Sequence, residues 1–313
     1  MNRTRLSILS LGVSLVLCVT SAPSILSQTA APPAEVRLTV TVSDSRGRYV
    51  AGLSKDKLTL LEEKVPREIT FFEESNQPAA VGLVFDLSRG RRERLLPHVR
   101  KAFLDFVSRG KSNEYFVVGY DAEAYLAADW GRSPGELARG FERLAAVKPS
   151  NKSVLHDALA LALKKVGEGK NPRRLLILVS DGTDDGSKTK SAEVLEQLRR
   201  GDAAVYSVNA RIGDEGLIDS SDFMKLSKLG SVSGGLALSA RSAPEFYEFF
   251  ERLSVELEHQ YTLGFVPHDA TGSGWRRLEF KAKALEFPKS PTSKKVEKFP
   301  LSVRSREGYY YGG

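Results

Sequence analysis

Cysteine is almost absent from this chain. The single one among 313 residues, Cys18, lies in the apolar stretch that opens the sequence. A chain that loses that stretch has no disulfide, no thiolate metal site and no cysteine nucleophile. Histidine is scarce too: His98, His156, His259 and His268 are scattered, and none forms a spacing suited to zinc. A phosphate-cradling glycine loop is missing. His156 follows Ser153 by three residues, but a helix would carry its ring beside the chain rather than toward that hydroxyl. The chain is therefore not expected to be an enzyme. Long apolar runs are also few, and after Leu6 to Val19 none is long enough to span a membrane.

What the first segment does contain reads as a secretory signal over residues 1–27. Arg3 and Arg5 precede the apolar stretch, and the small residues Ser21, Ala22 and Ser27 follow it. A retained anchor is the rival reading. The short stretch, its serines Ser7, Ser10 and Ser14, and Pro23 just beyond favour cleavage. Leu17 stands where a lipoprotein signal has a small residue, which argues against lipid anchoring of Cys18. The expected location is secreted or periplasmic, in a bacterium, with no membrane span after cleavage.

With 41% hydrophobic and 27% charged residues the chain reads as globular rather than disordered. The formal charge is +7, and losing Arg3 and Arg5 leaves +5. Ten basic residues between Arg276 and Arg306 carry much of the excess. They suit either an anionic partner or the solvated face of β-strands. No nucleic-acid motif and no interleaved aromatics accompany them, so a nucleic-acid partner is not expected.

The pattern divides the chain. Residues 28–34 read as a small, proline-containing linker. Residues 35–78 read as a β segment, with Val36, Leu38 and Val40 alternating with Arg37 and Thr39. From residue 79 to residue 258 strands alternate with helices. The apolar strand 81–85 precedes a helix near 92–108. Strands at 115–120, 124–128, 174–180, 203–208 and 235–239 intersperse with helices at 154–166, 192–198, 223–229 and 244–258. This alternation predicts an α/β fold with a doubly wound, mostly parallel sheet and helices on both faces. Residues 259–313 return to β, and this C-terminal segment is a candidate to pack with 35–78.

One junction carries the chemistry. Val81-Gly82-Leu83-Val84-Phe85 runs into Asp86-Leu87-Ser88-Arg89-Gly90, and Leu175-Leu176-Ile177-Leu178-Val179 runs into Ser180-Asp181-Gly182. Ser150-Asn151-Lys152-Ser153 opens the helix between them. In an open α/β sheet, polar groups just past the strand ends meet at the ligand-binding edge. Two carboxylates and two hydroxyls there suit a hard divalent cation.

These segments resemble a von Willebrand factor type A (VWA) domain and its metal-ion-dependent adhesion site. That family's pattern is Asp-x-Ser-x-Ser, then a Thr in a later loop, then Asp-Gly. Asp86 and Ser88 match the first two ligands, Ser153 stands where the family has Thr, and Asp181 matches the last Asp. Gly90 stands where the third Ser belongs, and it has no side chain to coordinate. With Arg304-Ser305-Arg306-Glu307-Gly308-Tyr309-Tyr310 and the flanking β segments, the chain resembles the secreted bacterial VWFA-related proteins over roughly residues 36–313.

The resemblance implies a Mg²⁺ site, with Mn²⁺ or Ca²⁺ as substitutes, formed by Asp86, Ser88, Ser153 and Asp181. A protein partner's acidic side chain would complete the sphere, so the implied function is adhesion or complex assembly. The same residues also suit helix caps and turns. A further reading follows from the arginines around the first loop: Arg89 or Arg91 folds between Asp86 and Asp181 and replaces the metal by a guanidinium. Asp184 and Asp185 are candidates to draw in a cation or simply to form an exposed loop tip. Tyr309, Tyr310 and Tyr311 suit either an interface or the chain's own core.

Overall fold

The computed structural model describes residues 35–312 apart from 76, 111, 149, 214–219, 269–272 and 289–295. The predicted signal and linker lie outside the described residues. In chain order the strands and helices are β1 (Val36–Asp44), β2 (Leu58–Glu62), β3 (Val65–Arg67), β4 (Ile69–Glu74), β5 (Ala79–Asp86), α1 (Arg91–Arg109), β6 (Glu114–Tyr120), β7 (Ala124–Gly131), α2 (Pro134–Ala146) and α3 (Leu155–Gly167). There follow β8 (Arg173–Val179), α4 (Ser191–Arg200), β9 (Ala204–Ala210), α5 (Ser220–Ser233), β10 (Leu236–Ala240), α6 (Ala243–Glu258), β11 (Gln260–Phe265), β12 (Gly274–Ala282), β13 (Leu285–Pro288), β14 (Val296–Phe299), β15 (Leu301–Arg304) and β16 (Gly308–Tyr311).

The fold is mixed α/β. Its largest sheet has six strands in the order β10-β9-β8-β5-β6-β7. Neighbours are parallel from β10 through β6, and β7 closes the edge antiparallel to β6. Every residue of β5 is buried, as the unbroken apolar run requires for a strand in the middle of a sheet. Its alternate residues enter two separate cores. Ala79, Val81, Leu83 and Phe85 pack with side chains of α1, α2 and α6. Ala80 and Val84 pack with those of α3, α4 and α5.

The other three described sheets are antiparallel, so antiparallel pairing is more extensive than the central alternation alone would suggest. Strands from the two ends of the chain build two of them together. β1 lies between β15 and β11, and β12 lies between β16 and β2. Val40, Val42, Leu60, Leu263 and Phe265 form the third core between them. Several of the basic residues near the C-terminus hold this part together. Arg276 pairs with the buried Glu62 at 3.1 Å, and Arg304 pairs with the buried Glu256 at 2.6 Å. Tyr309 is buried and donates to Glu62, while Tyr310 donates to Glu196 at 2.7 Å.

Two elements have no counterpart in the expectations from sequence. The first is α2, whose stripe of Leu137, Phe141 and Leu144 is thinned by Gly140. The second is the hairpin β13–β14, where Phe287 and Val296 are exposed and no buried alternation marks the strands. Among the described residues no helix is long and apolar enough to cross a membrane.

Candidate functional site

The site is built where β5 and β8 end. After Asp86 the chain turns through Arg89 (φ 55°) and Gly90 (φ 73°), both left-handed. Two consecutive left-handed residues reverse the backbone within one step, which glycine tolerates and arginine adopts only under local constraint. Helix α1 then starts at Arg91, whose N–H donates to the Ser88 carbonyl at 3.0 Å. Gly90 provides no side-chain cap.

Arg91 therefore begins a helix beside the loop that precedes it, and its side chain folds back into that loop. Its Nη1 donates to Ser88 Oγ at 3.0 Å and to the Ser88 carbonyl at 3.2 Å. The same nitrogen lies 3.5 Å from Asp86 Oδ2, and Nη2 makes an ion pair with Asp181 Oδ2. Arg91 is only 7% exposed, and Asp86 and Ser88 are fully enclosed. One guanidinium thus touches three of the four predicted site residues.

Asp86 is held from one side only. Its Oδ1 accepts the Ser88 N–H at 2.9 Å, while Oδ2 has no hydrogen bond and relies on the charge of Arg91. Burial pushes the Asp86 carboxyl above the usual carboxylate range, and Arg91 with the hydrogen bonds from Ser88 offsets this only in part. Tyr120 beside it is likewise raised by burial and by the Asp86 charge, and donates to Ser180 Oγ at 2.8 Å.

Ser153 is in the neighbouring loop but is committed elsewhere. Its Oγ donates to the Thr183 carbonyl at 2.8 Å, and its N–H donates to Asp185 Oδ1 at 2.8 Å. Asp185 also receives Arg89, whose Nε donates to the Asn151 carbonyl at 3.1 Å. The backbone bond from Ser153 and the Arg89 charge hold Asp185 below the usual range despite some desolvation. Asp184 pairs with His156 Nδ1 at 2.8 Å and accepts the Ser187 hydroxyl. The two arginines are thus divided among three acids: Arg91 goes inward to Asp86 and Asp181, and Arg89 goes outward to Asp185.

Sequence reasoning missed the support beneath Asp181. Gly182 is left-handed (φ 90°), and a Cβ there would stand 2.5 Å from the Asp222 carbonyl, so the loop packs on α5 only because this residue is glycine. Thr183 donates to Asp181 Oδ1 through its N–H at 2.9 Å and to Asp222 through its hydroxyl at 3.3 Å. The Asp-Gly-Thr run signalled a turn, but nothing in sequence pointed to Asp222.

A Mg²⁺ ion needs near-octahedral oxygen ligands at about 2 Å. Here the guanidinium of Arg91 contacts Ser88 Oγ and Asp181 Oδ2 and neighbours Asp86 Oδ2, the oxygens such an ion would take. Gly90, where a third hydroxyl would belong, offers no ligand. The residues as arranged do not fit a divalent cation.

No protein-family profile matches the chain, and no curated protein sequence matches it. Solved structures similar to it include proximal thread matrix protein 1 from the mussel byssus, at 15% identity and a TM-score of 0.49, covering 61% of this chain and 48% of that one. The vWF domain of the type V pili tip protein Mfa5 from Porphyromonas gingivalis aligns at 10% identity and 0.45, covering 57% of this chain and 95% of that domain. The pilus adhesin SpaC from Lactobacillus rhamnosus GG aligns at 8% identity and 0.47, covering 84% of this chain and 49% of the adhesin. The chain spans about half the length of the thread matrix protein and of the adhesin.

Proposed function

We propose that this chain is an exported, metal-independent interaction module: a VWA-like domain with a doubly wound sheet, whose metal-binding edge is closed by an arginine. The observation that carries the reading is Arg91, buried between Asp86 and Asp181 and bonded to Ser88. Strand order and position support the fold assignment, since Asp86 ends one of two adjacent parallel strands and Asp181 lies just past the other. The N-terminal signal pattern supports export.

The guanidinium meets two carboxylates and a hydroxyl through fixed donors, a geometry arginine suits better than lysine. A partner's acidic side chain then has no coordination position to complete. Arg91 instead ties the loop after β5 to the loop after β8, and Arg89 ties the first loop to Asn151 and Asp185. The edge becomes a rigid surface formed by three loops, and the partner is a protein that meets it without a bridging metal.

Binding rather than catalysis fits the commitments of the candidate nucleophiles. Ser153 donates to the Thr183 carbonyl rather than to His156, which pairs with Asp184. Gly131-Arg132-Ser133-Pro134-Gly135 has the spacing of a nucleophile elbow. Ser133, however, caps α2 and donates to Glu136 at 2.7 Å.

Calorimetric titration of the purified protein with Mg²⁺ and Mn²⁺ tests the reading, with Asp181→Ala as control. No saturable heat is expected from either protein. Saturable binding by the unaltered protein that disappears in Asp181→Ala would restore the metal-dependent reading.

A further inference from the structure

At the opposite end of the parallel sheet, where β8 and β9 begin, a cavity of about 320 Å³ lies between that sheet and the strands β1 and β11. Arg173 and Arg174 open β8, and Arg306 lies between β15 and β16. All three line the cavity, with Arg37 of β1 as a fourth. Asp202 is the one acid among the described lining residues, and Arg174 is paired with it.

The other two buried guanidinium groups meet neutral acceptors. Arg173 Nη1 donates to the Leu257 carbonyl at 2.8 Å and to Gln260 Oε1 at 3.2 Å. Arg306 Nη2 donates to the carbonyls of Leu198 and Arg199 at 3.1 and 2.8 Å. The Nε atoms of Arg173, Arg174 and Arg306 are all buried without a hydrogen-bond partner. Arg173, Arg174 and Arg306 thus share one cavity with a single carboxylate, and the lining carries an excess of positive charge that an anion would balance. Burial lowers Arg173 and Arg306 from the usual arginine range, and Asp202 offsets this only in part at Arg306.

We propose that this cavity binds a phosphate or sulfate group through Arg173, Arg174 and Arg306. Guanidinium forks match tetrahedral oxyanions, and several of them around one cavity outweigh the single carboxylate. The volume exceeds that of a bare oxyanion and lies at the lower end for small-molecule sites. Apolar Leu38 and Leu175 share the lining, which leaves room for a small organic body carrying the anion.

Calorimetry on protein purified from expression of the full chain, with inorganic phosphate, sulfate, glucose 6-phosphate and glucose as probes, separates the possibilities. Saturable binding of the anions and none of glucose supports the site. Tighter binding of the sugar phosphate than of inorganic phosphate identifies the group as one carried on a small molecule. Equal binding identifies the free ion. Arg306→Gln and Arg174→Gln should each weaken binding about tenfold, the effect of losing one charge-assisted hydrogen bond. Arg241→Gln, outside the cavity, should leave it unchanged. Arg306 also holds the end of α4, so Arg174→Gln is the cleaner variant, and its unfolding midpoint verifies the fold. Absence of binding at about 10 mM of each anion, or binding unaffected in a folded Arg174→Gln, would overturn the proposal.

Discussion

Arg91 is the residue on which the site turns. Among the described residues Asp86 has no second hydrogen-bonded oxygen and no ion pair besides that with Arg91, so truncating Arg91 leaves a buried charge unpaired. Such truncations cost about 3 kcal/mol or more. The loss should depend on pH. Asp86 already has a folded pKa above its unfolded value of 3.8, and removing Arg91 takes away a lowering influence and raises it further. A raised carboxyl contributes stability that is present below the unfolded pKa and lost as pH rises through the folded one. Chemical denaturation of Arg91→Ala should therefore show a small deficit relative to the unaltered protein near pH 4 that widens toward pH 7. A deficit that is constant across this range would mean that Arg91 acts through packing alone. The sequence placed an arginine near these acids but did not choose between Arg89 and Arg91. That choice rests on the two left-handed residues, which send Arg89 outward and start the helix at Arg91. Backbone signs of this kind leave no trace in composition or periodicity.

At the scale of elements, the strands and helices with strong apolar periods were legible, and the weakly patterned ones were not. The run Val81 to Phe85 and the spacing of Leu95, Val99, Phe103 and Phe106 are burial patterns written directly in residue types. Helix α2 is hard to read because Gly140 interrupts its stripe, although Ser133-Pro134-Gly135-Glu136 is a start signal. Ser133 accepts the Glu136 N–H, and Glu136 in turn accepts the Arg132 N–H at 3.2 Å. The same arrangement recurs at α6, where Ser242 caps Glu245 and Glu245 accepts the Arg241 N–H at 2.8 Å. Ser133→Ala and Ser242→Ala should each cost about 1 kcal/mol in equilibrium unfolding. A loss below a few tenths of this for both would show that these helices are held by packing rather than by their caps.

At the scale of the whole molecule, Glu256 connects the six-stranded sheet to the strands from the two chain ends. The carboxylate is buried and accepts from Thr41 of β1, Tyr206 of β9, Tyr49 and Arg304 of β15. Burial alone would push Glu256 up, but Arg304 and the hydroxyl donors outweigh it and hold the carboxyl below its ordinary 4.5. A depressed carboxyl contributes stability above the unfolded pKa that is lost as pH falls through the folded one. Glu256→Gln should accordingly lower stability by about 3 kcal/mol at pH 7, and the difference should shrink below pH 4.5. An undiminished difference in acid would assign the effect to misfit of the amide. None of this network was readable in sequence, because its members are drawn from five separate segments. The acids after β5 and β8, by contrast, were readable because strand direction alone brings them to one edge.

A crystal structure from Mn²⁺-soaked crystals, with an anomalous difference map at the manganese edge, tests directly whether Arg91 or a metal fills the edge. Continuous density for the Arg91 guanidinium between Asp86 and Asp181 is expected, with no anomalous peak beside them. A peak at about 2 Å from Ser88 Oγ and Asp181, with Arg91 swung out of the pocket, would contradict it.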